Sequence, residues 1–279
     1  MRTVYDFGRS GAKPTHPELL DWLAVEFMES GWSMKHMHRL IATSEAYGRS
    51  SAMGGDLAST QNAKHETRNQ SQSLLMSAPT REKLDPENKY LWRMNPGRME
   101  AEVLRDSILC LAGELDGHMG GQELENTEMP ASRRRSLYFA CYPEEGGKGE
   151  FTGLFDAPDA NECYRRTRSI VPQQALALTN SKFTHDESAT LAKRLGVIAN
   201  ADPANPDPTG FITAAYEQIL TRPPSRVELA ECAGFLQKQS ALLRAQAGKD
   251  ETAVNQAGGR ARESLVRALL NHNDFVTVW

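Results

Sequence analysis

Cysteine is scarce in this chain of 279 residues. Its four copies, Cys110, Cys141, Cys163 and Cys232, lie far apart. No CxxC or CxxCH occurs, which excludes a zinc ribbon and a covalently attached c-type haem on this chain. Long apolar runs are missing as well, so no stretch reads as a membrane-spanning helix. Residues 1–25 hold no charged start followed by an apolar core, so no secretion signal is visible there. GxSxG, HExxH, GxGxxG and P-loop patterns are all absent, leaving no familiar catalytic signature. A basic excess is lacking too. The formal net charge is -4, which argues against a general nucleic-acid footprint.

Lysine is the rarer cation, with 10 copies against 22 of arginine. Arginine suits ion pairs and forked recognition of carboxylate, sulfate or phosphate, although a GC-rich coding bias gives the same skew. Hydrophobic residues make up 39% and charged residues 24%, ordinary for a globular chain able to bury a sizeable core.

Periodicity predicts a mainly α fold. Thr15 and Glu18 have capping-box spacing with Pro17 in the first turn, and Leu19, Leu20, Leu23 and Phe27, with Trp22, form a stripe expected to face inward. Gly31 ends that helix. Ser33 is set to cap the next, with Met34, Met37, Leu40 and Ile41 inward, giving an antiparallel helical hairpin. Residues 52–84 read as a polar insertion. A helix over 96–113 is expected to turn Met99, Val103, Ile108 and Leu111 inward, with Arg98, Glu102, Arg105 and Asp106 as local ion pairs. The segment RSLYFACY predicts a small β element over 135–142, led in by a solvated triplet of Arg133, Arg134 and Arg135. Residues 143–171 form an Asp/Arg loop. Pro172 opens a helix holding Ala175, Leu176 and Leu178, another follows from about Thr184 to Leu195, and these close a main domain over 1–198. A Pro-rich linker spans 199–208. A C-terminal helical subdomain over 209–279 is expected to hold helices at 209–220, 225–246 and 260–271, the second opened by a Ser225–Glu228 capping box. The tail NDFVTVW is expected to end in a short strand.

Six ordered blocks carry a resemblance. They are PTHPELLDWLAVEFMESGWSMKHMHRLIATSEAYGRSS, NKYLWRMNPGRMEAEVLRDSILCLAGELDG, RRSLYFACY, LFDAPDANECYRRTRSIVPQQALALTNS, LTRPPSRVELAECAGFL and SLVRALLNHNDFV. Together they resemble the planctomycete-type secreted domain of unknown function 1553, over nearly the whole chain except 52–84 and 113–132. The resemblance implies the C-terminal part of an exported, cytochrome c-associated protein, periplasmic or extracellular, following an upstream partner domain. Haem would belong to a domain further upstream, and this chain would carry no cofactor. It also implies a setting of sulfatases and polysaccharide use, and a chain truncated at its N-terminus. Two departures stand out: Gly97 replaces a basic residue, and SIVP (169–172) replaces a Thr-rich run.

The richest constellation for chemistry lies in residues 155–180. Asp156, Asp159, Cys163, Arg165, Arg166 and Arg168 feed a helix that carries Gln174 and Asn180. Guanidinium forks before a helix N-terminus could bind an anionic ligand such as an acidic polysaccharide. Asp156 or Asp159 could serve as general acid/base on a sulfated or acidic glycan. The same charges could instead pair with one another and pin the loop. Asp156, Asp159, Asn161 and Glu162 crowd enough oxygen for calcium, without the EF-hand spacing or its glycine. Cys141 and Cys163 could close a disulfide, whereas Cys110 and Cys232 fall in helical stripes and are expected in the core. His36 and His38, two apart on a helix, point away from each other and cannot share a metal. Two readings stand: a non-catalytic interaction or scaffold module, or a glycan-acting enzyme.

Overall fold

The computed structural model describes residues 9–49, 51, 78–161, 166, 169–199 and 207–278. Among them it holds eleven α-helices and one two-stranded sheet, so the mainly α reading stands. The chain divides into two compact units, Met1–Gly97 with Trp279, and Arg98–Val278.

In the first unit, α1 (Pro17–Glu29) packs on α2 (Met34–Ala42). Gly31 and Trp32 both take left-handed φ, +69° and +61°, which turns the chain within four residues. Ser33 caps α2 as its sequence predicts, accepting from His36 N–H at 3.3 Å. His36 Nε2 also meets Glu26 Oε1 at 2.7 Å, tying the two helices together. The other end of α1 differs from expectation. His16 is its cap residue, and the Thr15 hydroxyl pairs with the His16 ring at 2.9 Å instead of capping. The inward stripe is corrected as well. No residue of α1 is buried, and Leu19, Leu20 and Trp22 are about half exposed, since among the described residues α2 covers only part of that stripe. Within the polar insertion 52–84, residues 78–84 form α3 (Ala78–Leu84) and residues 52–77 lie outside the described residues. A tight loop follows. The Asp85 carboxylate accepts the N–H groups of Lys89 and Tyr90, both at 2.8 Å, and Trp92 Nε1 donates to the Asp85 carbonyl.

The second unit opens at Arg98, the second residue of β1 (Gly97–Arg98), and continues into α4 (Ala101–Ala112). The predicted start at 96 gives way to this strand, which pairs with the predicted tail strand β2 (Thr277–Val278). Val103 is exposed, and the inward face runs through Leu104, Ile108, Leu109 and Ala112. Gly113 ends α4 at φ +82°, where an added Cβ would come within 2.9 Å of the Arg194 guanidinium. Then come α5 (Glu150–Leu154), α6 (Pro172–Asn180) and α7 (Lys182–Ile198). Beyond residue 206, α8 (Thr209–Ala215) continues into a π-helical turn, Tyr216–Leu220, followed by α9 (Arg226–Ala247), α10 (Glu251–Leu270) and α11 (Asn273–Val276). The Ser225–Glu228 capping box forms as predicted. One core unites these helices: Leu104, Ile108, Leu178 and Leu195 join Phe211, Ile212, Val266 and Leu270. Compact division therefore falls at Gly97/Arg98, and the helices before and after 199–208 share their core.

The β element expected over 135–142 is a 3-10 turn, Ser136–Tyr138, flanked by single bridges at Asp116–Arg134 and Leu124–Phe139. Its cause is local. Ser136 donates both its N–H (2.9 Å) and its hydroxyl (2.7 Å) to the Asp106 carboxylate, which draws the backbone out of a ladder. The preceding arginines are engaged rather than merely solvated. Arg133 meets Glu114 and Glu187, and Arg134 lies 4.2 Å from the Tyr138 ring centre.

Candidate functional site

Asp156, Arg166 and Gln174 come together in the second unit. Asp156 takes a left-handed φ of +58° just after α5, a conformation Asp tolerates better than most residues. Its carboxylate accepts the Ser169 N–H at 2.6 Å and the Ser169 hydroxyl at 2.9 Å. Arg166 makes a forked pair with Glu102 of α4, both bonds at 3.0 Å, and its second neighbour is Glu100 at 3.8 Å. Burial is the largest single influence on Arg166 and opposes its charge. The hydrogen bonds and charge of Glu102, with the charge of Glu100, outweigh it and raise the pKa. Gln174, in the first turn of α6, donates Nε2–H to the Leu154 carbonyl (3.0 Å) and the Ser169 hydroxyl oxygen (3.3 Å). Arg98, Met99, Glu100, Phe155, Asp156, Arg166 and Gln174 border a cavity of about 10 Å³.

The other candidates do not join this cluster. Asp159 accepts from Lys148 Nζ at 3.2 Å and from the Asn161 N–H at 2.9 Å. Asn180 is exposed at the far end of α6, roughly 9 Å along the axis from Gln174 at 1.5 Å per residue. Cys163, Arg165, Arg168 and Glu162 lie outside the described residues, and with them the Cys141–Cys163 pairing and the fourth calcium ligand. Cys141 is exposed, its thiol 3.6 Å from the Pro158 carbonyl. Cys110 is exposed, against expectation, while Cys232 is buried beside the Tyr216 hydroxyl. Among the described residues, no three His, Cys, Asp or Glu side chains converge to hold a metal.

Sequence reading missed the partners rather than the residues. Glu102 looked like part of a local helix pair, yet it receives Arg166 from 64 positions away. Ser169 carried no signal except its place in the departing SIVP run. What results is a set of mutually satisfied charges that pins the loop to α4 and α6.

A second feature is a groove of about 1260 Å³ lined by α7, α9 and α10. Among the described residues Lys193, Arg244, Arg260 and Arg262 line it, with Glu263 as the one carboxylate. Arg262 also lies 5.1 Å from the Phe211 ring centre. Small residues form much of its surface, and a Cβ added at Gly234, Gly258 or Gly259 would meet nothing within 4 Å.

A family model described as a protein of unknown function (DUF1553) matches residues 1–236. The chain belongs to the DUF1553 family. No curated protein matches it, and no solved structure does. The DUF1553 match takes in the whole Asp156–Arg166–Gln174 cluster and stops within α9. Arg244, Arg260 and Arg262 of the groove therefore lie beyond the matched span. Among the described residues no helix is long and apolar enough to cross a membrane.

Proposed function

We propose that this DUF1553 chain is a non-catalytic interaction module that holds an anionic polysaccharide in the groove lined by α7, α9 and α10. The observation that carries this reading is the charge of the groove, which among the described residues sets four cationic side chains against one carboxylate in a chain of net charge -4. Arginine forks suit carboxylate and sulfate groups, and a channel of this size admits several sugar units. Among the described residues its lining is charged, polar and small aliphatic, without the aromatic stacking platform that single-stranded nucleic acids use. The non-catalytic part rests on the Asp/Arg loop, where Asp156 is taken by Ser169, Asp159 by Lys148 and Arg166 by Glu102. Export to the periplasm or cell exterior, an upstream partner domain, and haem on a more distant domain of the same protein complete the proposal. They rest on the family resemblance.

Calorimetric titration with heparin, dextran sulfate and polygalacturonate, against neutral dextran, tests it. Binding to the acidic polymers is expected, weakening as salt rises. Affinity should fall at least tenfold in an Arg244→Ala/Arg260→Ala variant while the polymers stay intact. Silence across the panel overturns the groove, and release of reducing ends overturns the non-catalytic reading in favour of an enzyme.

A further inference from the structure

The small cavity beside Asp156 supports an inference independent of the groove. Gln174 is only 1% exposed, and its amide orientation is fixed by its neighbours. Nε2 faces the Leu154 carbonyl, which can only accept, so a flipped amide would set two acceptors against each other. The Ser169 hydroxyl hydrogen goes to Asp156, leaving Ser169 Oγ to receive the second Nε2 hydrogen. Oε1 is therefore committed to the remaining direction. It is buried there without a protein partner. Nε of Arg98, which lines the same cavity, is likewise buried and unpartnered.

These two orphans are complementary. One only accepts, and the other only donates and carries charge. Leaving either unmade in a buried site is costly. An anion would satisfy Arg98 but meet Gln174 Oε1 and the Glu100 and Asp156 carboxylates, and an ammonium ion would leave Arg98 Nε without an acceptor and lie against the Arg98 and Arg166 charges. An O–H group satisfies both, and about 10 Å³ is the room of a single oxygen.

We propose that this cavity is a binding site for one hydroxyl oxygen, which accepts from Arg98 Nε and donates to Gln174 Oε1. The oxygen comes from water or from the hydroxyl of a small polyol. It closes a chain of hydrogen bonds running from Arg98 through Gln174 and Ser169 to Asp156, and so couples β1 to the Asp/Arg loop.

Crystals grown without polyol, and the same crystals soaked in ethylene glycol, distinguish the two sources. One oxygen is expected within about 2.7–3.2 Å of both atoms. A peak unchanged by the soak assigns it to water, and replacement by a glycol hydroxyl assigns a polyol subsite. Either result supports the site. Absence of density within reach of both atoms overturns it. In solution, Arg98→Met and Gln174→Met are each expected to raise the unfolding equilibrium constant by roughly five- to tenfold. Gln174→Met also loses the Leu154 bond, so the reading is the coupling in a double-mutant cycle. The double variant should lose less than the product of the two singles, because both remove the same oxygen. A simple product overturns the proposal. The wild-type crystals keep the test decisive should a variant fail to fold.

Discussion

Arg105 and Glu187 are each only 1% exposed, yet their positions differ in kind. Arg105 spends its guanidinium on the carbonyls of Met129, Ser132 and Arg134 and on the Ser136 hydroxyl, so one buried side chain organises a loop without strands. Glu187 gives one oxygen to Arg133 at 3.0 Å, while its other oxygen is buried without a partner. Burial pushes its pKa above the usual carboxylate range, with Arg133 working against that shift and Glu114 adding to it. The folded protein thus holds this proton to higher pH than the unfolded chain does. The resulting stability is full below the ordinary glutamate range and lost as pH rises through the raised value. Urea midpoints measured from about pH 4 to about pH 7 should show that decline, and Glu187→Gln should flatten it. A profile identical in both proteins would sink the assignment. None of this was legible beforehand. Arg105 reads in sequence as one more charge on an amphipathic helix, and its loop partners lie 24 to 31 positions away.

Local helix chemistry was legible where the signal was self-contained. Ser225 and Glu228 form the capping box their spacing announces, because both partners lie in one turn. Thr15 and Glu18 have the same spacing and form none, since the Thr15 hydroxyl finds the His16 ring first. The start of α9 is further tied by Arg222, which bridges Glu228 at 2.8 Å and Asp274 of α11. Hydrogen bonding from Arg222 is the main cause that holds Glu228 down to about 2, with burial opposing. A depressed carboxylate supplies stability above its unfolded value and loses it as pH falls toward the folded one. Acid titration of stability is therefore expected to show a loss below the ordinary glutamate range that Glu228→Gln lacks. Ser225→Ala should cost about 1 kcal/mol by chemical denaturation. An unchanged acid limb in Glu228→Gln would contradict the Arg222 pairing. The start of α10 escaped sequence reading because Gly258 and Gly259 interrupt its pattern. Asp250 nevertheless caps it, through the N–H groups of Thr252 and Ala253.

Across the whole molecule, the mainly α class followed directly from periodicity, but the partnership of the helices did not. The proline-rich stretch 199–208 looks like a domain boundary in composition, while α7 on one side packs against α10 on the other. Contacts of that range leave no mark in a local pattern. Residues 1–198 alone would strip Leu104, Leu191 and Leu195 of their neighbours Phe211, Val266 and Leu270. That fragment is expected to show no cooperative melting by circular dichroism, and a sharp transition would argue for two independent cores. The candidate site follows the same division. Its residue types were readable, whereas their neutralisation by Glu102 and Ser169 depends on tertiary packing.

The second unit begins and finishes at one place. Met99 N–H donates to the Val276 carbonyl at 2.9 Å, and β1 lies beside β2. A module with adjacent ends needs only a single seam in a host. Spliced into a surface loop of another protein, it would part the flanking chain by about one strand spacing, roughly 4.8 Å, and leave the host's own path undisturbed.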